Sequence, residues 1–242
     1  MGLFGKSRDL TPDQLRRISL SAQYQYQQQG EHFTLSTELG QRAKAILQQG
    51  WGIADEDDLQ DMVESLMLRN HSLHIAICKE EIAAEMQEGS EINTGVRRMG
   101  SMAAIADRLG VEDVAELMTG FDMLRNLINA QAALAENRLL SSWEVLTATD
   151  MMGWDLGRAA YLVRLGVETK LITDEQAWEQ LDAIYRLAAE HFSTWEEFGR
   201  SYIIGRSLWA DDEEQRDVSG FCNAMQWLLK HPQSPWVKVT FK

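Results

Sequence analysis

Residues 154–166, WDLGRAAYLVRLG, and residues 193–209, STWEEFGRSYIIGRSLW, decide the fold class. In the second segment Trp195, Phe198, Tyr202, Gly205 and Trp209 recur at three- and four-residue steps, the spacing of one helix face. Trp154, Arg158, Tyr161 and Leu165 do the same in the first. Large aromatics repeated this way are expected in a core, and Gly205 in that row lets a neighbouring helix come close.

Helix-start signals surround these two segments. Ser141-Ser142-Trp143-Glu144, Thr173-Asp174-Glu175-Gln176 and Ser193-Thr194-Trp195-Glu196 read as capping boxes. In the last, Thr194 with Glu197 serves equally well. Towards the N-terminus, Thr11-Pro12-Asp13-Gln14 places a cap, an N1 proline and a capping Gln in order, with Leu10 and Leu15 as a staple. That helix is expected to run to Gly30 as its C′ residue, with a Tyr24–Gln29 end polar enough to fray. A second helix is expected from Ser36 to Gly50. A third starts at Asp55-Glu56-Asp57-Asp58, where four carboxylates favour the positive end of the helix dipole. Its apolar face continues through Leu59, Met62, Val63, Leu66, Leu73 and Ile77, with Asn70 as an expected break.

Residues 89–110 read as short helices. A long amphipathic helix follows, marked by Val114, Leu117, Met118, Phe121, Leu124, Ile128 and Leu134. A last helix spans about 217–230 and ends before Pro232. Residues 236–241 alternate as a strand would; lacking a partner strand, they are expected as a short extended arm.

Proline is confined to Pro12, Pro232 and Pro235, which suits long helices in between. No Gly/Ser/Pro-rich linker interrupts the 242 residues. The expectation is one all-α domain over 1–242, with a core at 140–210 and N-terminal helices 11–137 packed on it.

The formal charge of −14 disfavours nucleic acid and anionic membranes as partners, and permits a basic protein. No apolar run reaches the length of a signal peptide core or a membrane span, and Cys78 and Cys222 read as free thiols in apolar contexts. The expected compartment is the cytoplasm.

Further residues carry a family likeness: Trp51-Gly52-Ile53 before the acidic helix start, Trp154-Asp155-Leu156-Gly157-Arg158, and Asp174-Glu175-x-Ala177-Trp178. To these add Ser193-x-Trp195-x-Glu197-Phe198-x-Arg200-x-Tyr202 with Gly205-Arg206-x-x-Trp209. The chain resembles the YbeU/YbeR-like enterobacterial family, domain of unknown function 1266, closely over 142–209 and more loosely over 45–74. The resemblance implies a mostly helical domain and brings no catalytic residue. Genes of that family lie beside J-domain cochaperone and Hsp70-like genes, which implies a chaperone-system partner.

The chemistry-bearing residues concentrate in the two opening segments. Asp155 and Arg158 are three apart and therefore adjacent. If their helix packs on the next, Asp155, Arg158, Glu197, Arg200 and Arg206 form a charged network between Trp154 and Tyr202. The simpler reading is an ion-pair network that fixes helix register. The sharper one is a pocket in which the arginines bind a small anion or serve a reaction. His71, His74 and Cys78 share a helix face that zinc could use, but the paired short spacings of zinc sites are missing, so no metal or other cofactor is expected. Asp211-Asp212-Glu213-Glu214 lacks calcium-loop spacing. P-loop, dinucleotide, nucleophile-elbow and zincin motifs are also missing. These observations favour a non-enzymatic interaction or adaptor protein, followed by an acidic immunity-type inhibitor of a basic toxin, then an anionic-ligand binder or enzyme.

Overall fold

A computed structural model describes residues 10–68, 114–139, 151–209 and 218–242. The described chain is all-α. The Ser142 box, Asn70, Leu73 and Ile77, residues 89–110, the acidic run 211–214 and the His71/His74/Cys78 set lie outside the described residues.

Helix α6, Met152–Thr169, is the axis of the fold. Every residue from Met152 to Gly166 is buried, so this helix has no solvent face and must be wrapped on all sides. α8 (Trp195–Trp209), α4 (Glu56–Leu68) and α7 (Asp174–His191) make its broadest contacts. The short α1 (Pro12–Ile18), α2 (Ala22–Gln28) and α3 (Gln41–Ala45) complete the wrapping. α5 (Val114–Glu136) packs on α8 and on α9 (Val218–Lys230).

Small residues allow a close crossing of α6 and α8. A Cβ built on Gly205 of α8 would lie 2.7 Å from the Trp154 Cβ. One on Gly153 of α6 would meet the Phe198 carbonyl oxygen and the Tyr202 nitrogen at 2.8 Å. Only residues without side chains let the two backbones approach this far, and the Gly153 N–H uses the proximity to donate to Ser201 Oγ at 2.9 Å.

The caps follow the sequence. Thr11 with Gln14 and Thr173 with Gln176 form reciprocal boxes. At α8 the pairing is Thr194 with Glu197: Glu197 N donates to Thr194 Oγ1 at 3.1 Å, and Glu197 Oε2 accepts from Ser193 N and Thr194 N. At α4, Asp58 N donates to Asp55 Oδ1 and Asp58 Oδ2 accepts from Ala54 N, while Leu59, Val63 and Leu66 turn inward. Leu134 of α5 is fully buried.

Four expectations are corrected. The helix expected from Pro12 to Gly30 is divided into α1 and α2 by a 3-10 turn at Ser19–Ser21 and ends at Gln28, with Gln29 rather than Gly30 in the left-handed region (φ 57°). The polar end of that helix, expected to fray over Tyr24–Gln29, stays helical to Gln28 with Gln25 fully buried. The second helix begins at Gln41, not Ser36, because side chains from α6 claim residues 31–40. At the C-terminus, residues 235–238 form one helical turn, α10, capped by Ser234; only Val239 onward is extended.

That terminal segment is held by indoles and carbonyls. Trp236 stacks on Trp195 at 5.1 Å and 7°, and its Nε1–H donates to the Ser19 carbonyl at 2.9 Å. Trp195 Nε1–H donates to Val239 O, Tyr185 Oη to Phe241 O, and Arg16 Nε to Thr240 O. One hydrophobic core therefore spans α1 to α10.

Candidate functional site

Trp154, on the first turn of α6, lies among the residues singled out in the sequence. Tyr202 of α8 meets it edge-on, with ring centroids 4.9 Å apart. Tyr24 of α2 stacks between Trp154 (5.4 Å) and Tyr161 (4.6 Å), both nearly parallel to it. The Arg158 guanidinium lies 4.8 Å from the Trp154 ring centre, 5.6 Å from Trp51 and 5.9 Å from Trp209, and it pairs with Asp155 one turn earlier. Arg206 comes within 5.3 Å of Trp154 and 5.5 Å of Phe221.

The charged network expected from the sequence thus separates. Asp155, Arg158 and Arg206 gather around Trp154 with Tyr202. Glu197 does not join them, because its carboxylate is the N-terminal cap of α8. Arg200 does not either; its Nη2 donates to the Leu139 carbonyl at 2.9 Å and closes the end of α5 against α8. The shared face holds for Trp195, Phe198 and Tyr202, whereas Trp209 emerges at 40% exposure.

The aromatic centre has unusual polar features. Trp154 Nε1, Arg158 Nε, Tyr161 Oη and Tyr202 Oη are buried without hydrogen-bond partners. Burial and the neighbouring Tyr24 hydroxyl push the Tyr202 phenol well above its ordinary range, with Arg206 and Arg158 pulling the other way. Burial raises Tyr161 likewise.

Sequence reasoning passed over one heavily bonded side chain. Arg164 on α6 is fully buried. Its Nε donates to Leu35 O, its Nη1 to Ser21 Oγ, and its Nη2 is shared among the carbonyls of Glu31, Thr34 and Ser36 at 2.6–2.9 Å. One turn on, the Glu168 carboxylate accepts from Thr37 Oγ1 and Gly40 N. Together they shape residues 31–40 into a fixed loop. The signal was present: Arg164 sits inside Tyr161-Leu162-Val163-Arg164-Leu165 with apolar residues on every side, a setting that a solvated arginine does not need. Burial pulls its pKa down to about 9 even so.

The loop presents an aromatic face. His32 stacks on Trp227 of α9 at 5.9 Å, His231 stacks on the same indole at 4.8 Å, and Tyr26 leans on it at 5.2 Å. Tyr26 and Phe33, the residue after His32, are each 38% exposed.

Burial first, then the Arg164 charge, lowers the His32 pKa from 6.5 to about 4. The unfolded chain therefore takes up this proton before the folded one. Stability is complete above pH 6.5 and is lost as pH falls through 6.5 towards 4, by on the order of 2 kcal/mol once partial solvent access is allowed for. Urea titrations at pH 7 and pH 4.5 should show a smaller loss in His32→Phe, which keeps a ring on Trp227 but takes no proton. Equal losses in the two proteins would remove His32 from this account.

Among the described residues no His/Cys/Asp/Glu group is placed to hold a metal ion, and no helix is long and apolar enough to cross a membrane. Cys222 is a buried free thiol whose pKa burial raises to about 11.

The fold and this centre define an all-α protein built around a tryptophan–arginine–tyrosine cluster. The chain belongs to the family described as a protein of unknown function, DUF1266, whose model matches residues 46–241. The match reaches well beyond the segments that carry the sequence resemblance, while Tyr24, which closes the aromatic stack, lies outside it. No curated protein and no solved structure matches the chain.

Proposed function

We propose that the protein is a non-enzymatic interaction protein that docks a partner protein through the Tyr26–His32–Phe33–Trp227 face. The observation that supports this is the part-exposed cluster of Tyr26 and His32 on Trp227, with His32 and Phe33 carried by the loop that Arg164 holds. Rigid, part-buried aromatics rimmed by polar groups are the anchors of protein interfaces, and ordering them in advance lowers the entropy lost on binding. The net charge of −14 adds a preference for a partner with a basic rim.

Within the family, we place the chain with the YbeU/YbeR-like enterobacterial proteins, and the partner in a J-domain/Hsp70 chaperone system of the cytoplasm. The test is calorimetric titration with purified J-domain cochaperone and Hsp70 from the same cell. Binding that falls at least tenfold in Trp227→Ala, a loss of about 1.4 kcal/mol or more, supports the reading. Absence of binding to both proteins removes the chaperone assignment. The acidic-inhibitor alternative has a separate signature, tight binding to a basic toxin that weakens steeply with salt and ignores Trp227.

A further inference from the structure

Residues 31–37 close into a loop through the Glu31 N–H, which donates to the Thr37 carbonyl at 2.9 Å. Arg164 fills its inside and bonds the carbonyls of Glu31, Thr34, Leu35 and Ser36. Those of His32 and Phe33 are not among them. The N–H groups of these two residues donate instead to the Glu31 carboxylate, at 2.8 and 3.0 Å, and the His32 ring lies on Trp227. The tip of the loop is therefore held separately from its base.

The seat of His32 suits a neutral ring. Its Nδ1 is buried with no hydrogen-bond partner. A neutral imidazole keeps a lone pair on one nitrogen, whereas the imidazolium carries an N–H on both. At Nδ1 that N–H has no acceptor, and a buried donor left unmade is expensive. The surrounding charges do not remedy this. From α6 come the buried Arg164 cation, which repels an imidazolium, and Glu168, already bonded to Thr37 and Gly40. Glu31 attracts the imidazolium, but burial and Arg164 outweigh it. α2 has no charged residue and α9 no carboxylate, only Lys230. These two helices bring Tyr26 and Trp227. His231, stacked on the same indole, accepts from Gln233 N through its Nδ1 at 3.2 Å.

We propose that His32 and Phe33 form an acid-released latch: charging of His32 lifts its ring off Trp227 and carries Phe33 with it, while the base of the loop stays on Arg164. The closed latch binds the proton less tightly than the open one. It is therefore fully shut above pH 6.5 and weakens as pH falls towards 4. With 6.5 for the open ring and about 4 for the closed one, the open form gains about 30-fold between pH 7.5 and pH 5. As a control on partner docking the latch rests on the function proposed above, since release takes His32 and Phe33 out of that face. Its movement requires no partner.

The test follows two resonances of the full chain from pH 7.5 to 4.5. They are the His32 ring, identified by its loss in His32→Phe, and the Trp227 indole N–H, identified by its loss in Trp227→Phe. Both are expected to move with one shared midpoint below pH 6.5. The Trp227 resonance should still move in His231→Phe and should stay in place in His32→Phe. A Trp227 resonance that stays while His32 titrates, the imidazolium being retained by attraction to the indole face, overturns the latch. Equal movement in wild type and His32→Phe overturns it as well. Docking is read separately, by calorimetry with the purified J-domain cochaperone and Hsp70 at pH 7.5 and pH 5. Whichever binds at pH 7.5 should bind wild type at least threefold more weakly at pH 5, and His32→Phe should lose less. Equal wild-type affinity at the two pH values overturns the control of docking. Absence of binding at pH 7.5 counts against the proposed function, and the two resonances then decide the latch by themselves.

Discussion

Exchanging Arg164 for methionine is expected to lower stability by about 3–5 kcal/mol, the scale for removing one partner of a buried charged network. Methionine fills much the same space, so the loss is one of bonding and not of volume. Four loop carbonyls and the Ser21 hydroxyl would lose their donor together. Lysine is not a substitute. Its ammonium has three donors at one point, whereas the guanidinium spreads five over a plane. Arg164→Lys should recover less than half of the lost stability. Equilibrium urea unfolding measures both variants, and amide exchange across residues 31–36 should quicken in each. A loss below about 1 kcal/mol in the methionine variant would show that the loop stands without its buried cation.

The second large effect is at the other end of the chain. Trp236→Ala is expected to cost about 3–5 kcal/mol, as do other deletions of buried aromatics. The ring is 4% exposed, stacks on Trp195, and bonds the Ser19 carbonyl. Trp236→Phe separates these contributions. It restores most of the packing but leaves the Ser19 carbonyl unmade, for a residual cost of about 1–2 kcal/mol. Urea midpoints for the three proteins give the division. If the phenylalanine variant were as unstable as alanine, the hydrogen bond and not the stack would be what anchors α10.

The two sites also show where sequence reading succeeds and where it stops. Local signals were legible: the boxes at Thr11, Thr173 and Thr194, the acids opening α4, and the inward Trp195–Phe198–Tyr202 face all depend on neighbours within one helical turn. What escaped depends on residues far apart in the chain. Tyr24–Gln29 read as a polar, fraying end because the covering of Gln25 comes from elsewhere in the fold. The start of α3 was misplaced because residues 31–40 answer to Arg164 and Glu168, more than a hundred positions away. The alternation of residues 236–241 suggested a strand, but Pro235 after Ser234 supplies a helix start, and Trp195 and Ser19 fix the indole. In the candidate site, spacing correctly put Asp155 beside Arg158. It could not show that Glu197 was already committed as a cap or that Arg200 would close the end of α5.

The bonds between the first helix and the tail have a consequence for the order of assembly. Ser19 waits for Trp236, 217 residues later, and Arg16 for Thr240, 224 residues later. At about 5–20 residues per second, α1 is made roughly 10–40 s before its partners exist. During synthesis the Ser19 carbonyl and the Arg16 side chain stay without these partners, although the helices at 152–169 and 174–191 that also pack on α1 are made earlier. The first helix therefore gains its full set of native bonds only once residues 236–240 have been made.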